Sequence, residues 1–151
     1  MLKWSIVLSL VVGCGSKTTD NNNNKAAYEK ASTVVNPVVK ELKGASARIM
    51  TVPATADLST FPTLAEHCVN AKRIVERLGV LTSDKDLGIS LLGKVANNFA
   101  SVTDSACKDV THAEAAACWK ACSTEWSQFE VAIARFAESA KAEGVAIDPL
   151  Q

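Results

Sequence analysis

From Lys25 to the end of the chain, apolar side chains return at alternating steps of three and four, the spacing that gathers them on one face of an α-helix. Four such stretches follow one another. The first carries Tyr28, Ala31, Val35, Val38, Leu42, Ala45 and Ile49. Pro37 lies inside it and predicts a kink or a division, because proline lacks the N–H that an interior turn uses. The second starts at Pro62, a favourable first helical residue, and carries Leu64, Cys68, Ala71, Val75 and Leu78, with Gly79 as its predicted terminator. The third follows Ser83 as N-cap, with Asp84 and Asp86 in its first turn. Its stripe is Leu92, Val95, Phe99, Val102 and Ala106. The fourth opens on Thr111 and Glu114, the spacing of a capping box. It carries Ala115, Trp119, Cys122, Trp126, Phe129, Ile133, Phe136 and Ala140, and Gly144 ends it. No window alternates with period two for long enough to compete as a strand. Residues 51–61 form the longest connection, and the other two are short, which favours antiparallel neighbours. The pattern predicts an all-α domain over residues 25–151, an antiparallel up-down four-helix bundle with its first helix kinked at Pro37.

Ahead of that domain the pattern changes twice. Behind Lys3, residues 4–12 read W-S-I-V-L-S-L-V-V, an apolar run of nine. A helix that crosses a bilayer needs about 20 apolar residues, so this run fits the h-region of a secretory signal peptide. It ends in V-V-G-C, at Val11, Val12, Gly13 and Cys14. The motif resembles the lipobox of bacterial lipoproteins, with Val11 where leucine is usual. The resemblance implies that residues 1–13 are a signal peptide cut just before Cys14, and that the Cys14 thiol carries a diacylglycerol. Gly15 stands where an Asp would retain the protein in the inner membrane, which implies the outer membrane. The plainer alternative is an ordinary signal peptide in which Cys14 happens to lie near the cut. Residues 15–24, G-S-K-T-T-D-N-N-N-N, hold no apolar side chain. With the lipidated Cys14 they read as a flexible, disordered tether over residues 14–24.

The cysteine count then changes the picture. Five is an odd number for an exported chain. With Cys14 given to lipid, Cys68, Cys107, Cys118 and Cys122 remain, the number two disulfides require in an oxidising compartment. Cys118 and Cys122 lie one turn apart on the same helix and are poorly placed to bond to each other. In an up-down arrangement all four lie near one end. Matching depth favours Cys107 with Cys118 and Cys68 with Cys122, although a square bundle would put the helices of the second pair on a diagonal. The alternative is a metal site, in which the four thiolates hold Zn²⁺ or Cu(I). A CxxxC pair on a bundle helix resembles those of exported bacterial copper-storage proteins, which carry several where this chain has one. Ser123 follows Cys122, so the CxxCH needed for covalent haem is missing. His67 and His112 are expected near the same end, either as solvated surface histidines or as part of a Cys/His site.

Composition narrows the function by exclusion. Sixteen basic residues balance sixteen acidic ones without a basic run, which argues against nucleic acid as a partner. No G-x-S-x-G, phosphate-cradling glycine loop, H-E-x-x-H or calcium loop is present. Trp119 and Trp126, seven residues apart, suit a core stripe or the lining of a pocket. Glu125, Glu130 and Glu138, with Lys120, Arg135 and Lys141, read as a solvated face. Enzymes built on bundles turn carboxylates and histidines inward, whereas these stripes are apolar. The expectation is therefore a membrane-anchored envelope lipoprotein whose non-catalytic helical domain binds an envelope partner or serves the envelope structurally, without a cofactor. The alternative is a bundle that binds Cu(I), Zn²⁺ or a small ligand.

Overall fold

The structure, a computed structural model, describes residues 18–50, 58–111 and 113–151. Among them the regular structure is helical throughout, with no strand: α1 (Thr18–Leu42), α2 (Ala45–Met50), α3 (Phe61–Val75), α4 (Leu87–Cys107) and α5 (Ala115–Ala142), with 3₁₀ segments at Leu58–Thr60 and Glu76–Ser83. The expected signal peptide, Cys14, and tether residues 15–17 lie outside the described residues.

Helix α1 differs from expectation at both ends. Residues 18–24, read as disordered tether, are its first two turns, with Asn23 and Asn24 exposed. A helix already held by the burial of Tyr28, Ala31 and Val35 lengthens at the cost of propagation alone, without a new nucleus. The helix is not divided at Pro37, which lies inside it. Thr33, whose carbonyl the proline ring leaves without its helical donor, is exposed alongside Pro37, so water can serve it. The division falls at Gly44 instead, where φ is +78°, a left-handed conformation that costs glycine little.

Three helices form the centre. α3, α4 and α5 each touch the other two, and α1 lies over α3, α5 and the 3₁₀ segment Glu76–Ser83. Phe99, Trp126 and Phe129 are fully buried between α4 and α5, with Phe99 edge-on to Trp126 at 5.6 Å and Trp126 tilted against Phe129 at 5.4 Å. The stripe expected on the last helix is buried throughout, except that Trp119 is half-buried. On α4 the buried face is broader and turned from the expected seam. Ile89, Ala96, Thr103 and Cys107 are buried with Leu92 and Phe99, while Val95, Val102 and Ala106 are half-exposed.

The reason lies in the segment between α3 and α4. Gly79 does not terminate the second helical stretch; the chain tightens into 3₁₀ turns that continue to Ser83 and pack along α4. A Cβ at Gly93 would stand 2.5 Å from the Thr82 nitrogen and 2.8 Å from the Leu81 carbonyl carbon, and one at Gly79 would strike the Asn97 side chain. Gly93 thus serves a close approach of backbone to helix, whereas the neighbour of Gly79 is the end of a side chain. The Ser90 hydroxyl donates to the Thr82 carbonyl at 2.9 Å and the Asn97 amide to the Thr82 hydroxyl at 3.0 Å. The cap of α4 is consequently Asp86, not Ser83: its Oδ1 accepts from the Gly88 and Ile89 N–H groups at 2.8 and 3.0 Å.

The other end of α5 closes by a Schellman motif. Gly144 has φ +76°, its N–H donates to the Lys141 carbonyl, and the Val145 N–H donates to that of Ala140 at 2.8 Å. The tail then returns to α1, where Asn36 donates to the Ala146 carbonyl and accepts from the Asp148 N–H.

Tyr28 joins the start of α1 to the cap of α4, donating to Asp86 Oδ1 at 3.2 Å. Burial, and after it the Asp86 carboxylate, push this phenol above its ordinary value of 10.0. The raised value favours the neutral form in the folded state. Its contribution to stability is therefore whole below about pH 10 and is lost as the pH rises through the folded-state value. Tyr28 is the only tyrosine in the chain, so tyrosinate absorbance near 295 nm reads it alone. Its midpoint should lie above that of the unfolded chain. Asp86→Asn, which keeps a capping side chain, should lower the midpoint part of the way; no change would show that the carboxylate does not act on the phenol.

Candidate functional site

The chemistry-bearing residues collect where α3, α4 and α5 meet. Cys118 and Cys122 stand one turn apart on α5 and turn to different neighbours. Cys122 is bonded to Cys68 of α3, with sulfurs 2.14 Å and Cα atoms 6.1 Å apart. Cys118 is bonded to Cys107 at the end of α4, with sulfurs 2.04 Å and Cα atoms 4.8 Å apart. Depth along the helices thus matches as expected, and the diagonal obstacle is absent because α3 packs directly on α5. Cys68, Cys118 and Cys122 are fully buried, and Cys107 is 9% exposed.

The turn between α4 and α5 has its own local order. Asp109 takes a positive φ of 51°, a conformation that aspartate tolerates better than most residues. The Glu114 carboxylate accepts from the Thr111 hydroxyl at 2.8 Å and from the Thr111 N–H at 3.2 Å. Those two bonds, the hydroxyl first, hold its pKa below the ordinary carboxylate value. The reaching-back half of the expected capping box is therefore formed, while the Thr111 hydroxyl donates to Glu114 rather than accepting from the helix.

The other candidates disperse. His67 is half-buried and lines a small hollow with Glu41, Arg48 and Asn70. His112 lies outside the described residues. Trp126 belongs to the core. Trp119 packs on Phe61 and donates its indole N–H to the Ile49 carbonyl at 2.6 Å, which fastens α2 to α5. Cys68, Cys107, Cys118 and Cys122 are all engaged in the two disulfides. Among the described residues no group of three or more His, Cys, Asp or Glu side chains is placed to hold a metal ion. The ion pairs Lys72–Glu76, Lys72–Asp104 and Arg77–Glu41 are surface contacts, each worth about 0–1 kcal/mol.

A feature that periodicity did not reveal is an open apolar groove of about 470 Å³ between α4 and α5. Leu91, Val95, Val131, Ala132 and Phe136 line it, and Arg135 is the one charged residue among the described lining residues. Leu87, Leu91 and Val131 are 84%, 49% and 51% exposed. The available signal was apolar residues on two sides of α4, with Leu87 and Leu91 four apart beside the buried Ile89 and Leu92. Among the described residues no helix is long and apolar enough to cross a membrane. No family model matches the chain, and neither a curated protein nor a solved structure matches it.

The two bonds clamp α5 to α3 and to α4. The bond at Cys68–Cys122 spans 54 residues and that at Cys107–Cys118 spans 11. Restriction of the unfolded chain predicts contributions of about 4 and about 3 kcal/mol. Replacing each pair by alanines and measuring urea unfolding should show both variants destabilised, the first by about 1 kcal/mol more. The reverse order would place the effect in the native state instead.

Proposed function

We propose that the chain is a bacterial lipoprotein of the cell envelope, anchored through a diacylglycerol thioether on Cys14 after removal of residues 1–13. Its helical domain is a non-catalytic module that binds an envelope partner or serves the envelope structurally. The observation that carries this reading is the partition of the five cysteines. Four close into two pairs inside the folded domain, as an oxidising compartment favours, and the fifth stands at the end of an apolar run in V-V-G-C. Two or three acyl chains, each contributing about 0.8 kcal/mol per buried CH₂, hold a protein on a membrane firmly. Gly15 after the modified residue directs it to the outer membrane. The same reading takes the helices as an antiparallel up-down bundle with a bend at Pro37. Its support is the short α4–α5 turn, closed by Cys107 and Cys118, which suits an antiparallel pair.

The test is metabolic labelling with a fatty-acid analogue. The wild-type chain should take up label and partition with the envelope. Cys14→Ser should lose the label and accumulate uncleaved or soluble. Undiminished labelling of the variant would overturn the proposal.

A further inference from the structure

We infer that the domain rests with one particular end on the bilayer, and that Leu87 and Leu91, at the start of α4, enter its headgroup region. The inference depends on the lipoprotein reading and adds to it a second, noncovalent contact between the protein and the lipid surface that holds its anchor.

Leu87 is the most exposed large hydrophobic residue described, at 84%, and Leu91 follows one turn later on the same face at 49%. No packing within the fold accounts for them. Their place relative to the anchor does. Asn23, Asn24 and Tyr28 of α1 share an open recess with Lys85, Asp86 and Leu87. That recess meets the α4–α5 groove at Gly88 and Ser139, which line both. A Cβ at Gly88 would stand 2.9 Å from the Tyr28 hydroxyl, so the Tyr28 side chain reaches from α1 to the start of α4.

Chain length then fixes which end is near the lipid. From Asn23 back to Thr18 the helix rises about 8 Å. The four residues from Thr18 to Cys14 span at most about 14 Å. The acylated residue is therefore within about 22 Å of the recess. α4 is about 30 Å long, which puts the Cys107–Cys118 end correspondingly farther from the anchor. Charge around the recess is balanced, two lysines against two aspartates. Lys85 and Lys30 border the recess and are exposed. The neighbouring Asp84 and Asp86 turn their carboxylates to local N–H groups and to Tyr28. Amphipathic protein surfaces bind lipid by this combination of apolar insertion and cationic flanks.

The experiment uses the mature, lipidated protein in vesicles of phosphatidylethanolamine and phosphatidylglycerol, with and without bromine on the acyl chains. Leu87→Trp and Leu91→Trp report from the proposed contact. Ala117→Trp, an exposed position near Cys118, reports from the far end. Circular dichroism checks that each variant is folded, and mass spectrometry checks the lipid on Cys14. The emission added at positions 87 and 91 should be blue-shifted and largely quenched by brominated lipid, and that added at 117 should not. An acylated protein in which positions 87 and 91 escape quenching, or in which 117 is quenched equally, would overturn the inference and leave the lipoprotein reading standing. A blue shift that grows with protein concentration without bromine quenching would overturn it in favour of a second copy on this face. Absence of lipid from Cys14 would overturn both.

Discussion

Cys118 and Cys122, one turn apart on α5, fasten that helix covalently to α4 and to α3. The rest of the domain is arranged around this double attachment. It fixes the three helices at a common depth, so that Phe99, Trp126 and Phe129 meet in the next turns below. Domains of ordinary size are stable by only about 5–15 kcal/mol, and two loop closures are a large fraction of that. The bonds act on the unfolded chain and the aromatic layer on the folded one. The two contributions therefore reinforce each other without drawing on the same contacts.

The elements outside that triangle are held differently. α1, α2 and the tail bury apolar stripes, and each is also registered by a few polar contacts: Tyr28 on Asp86, Trp119 on the Ile49 carbonyl, and Asn36 on the backbone of Ala146 and Asp148. A single hydrogen bond contributes about 0.5–1.5 kcal/mol, so these contacts set position more than they set stability. The 3₁₀ segment is a third case. Gly93 lets the backbone at Leu81 and Thr82 reach α4, so this edge is packed by backbone against backbone.

Much of this was legible beforehand. The stripe of α5 could be read because one helix buries one face along its whole length, and the cysteine pairing because axial depth follows from the order of the helices. What escaped has physical reasons. Glycine suits a helix end and the interior of a tightened turn equally well, and Gly79 lies within the 3₁₀ segment rather than ending a helix. The polar residues 18–24 hold no burial signal, yet a packed helix extends through them. The seam of α4 is broader than its periodicity implies because the helix faces α3, α5 and the 3₁₀ segment. The groove with Leu91 and Val131 escaped for the same reason: periodicity marks which residues are apolar, and only packing shows which of them stay uncovered.

The central claim is that two crosslinks on α5 organise the domain, and trypsin can test it directly. Cleavage after Lys72, Lys94, Lys108, Lys120 and Arg135, among other sites, leaves Cys68, Cys107, Cys118 and Cys122 on four separate peptides. The mature protein should be purified without reductant, alkylated under denaturing conditions, digested and analysed unreduced by mass spectrometry. The account predicts residues 49–72 joined to 121–135, residues 95–108 joined to 109–120, and no alkylated peptide from any of the four. Exchanged partners, or four alkylated cysteines, would contradict it.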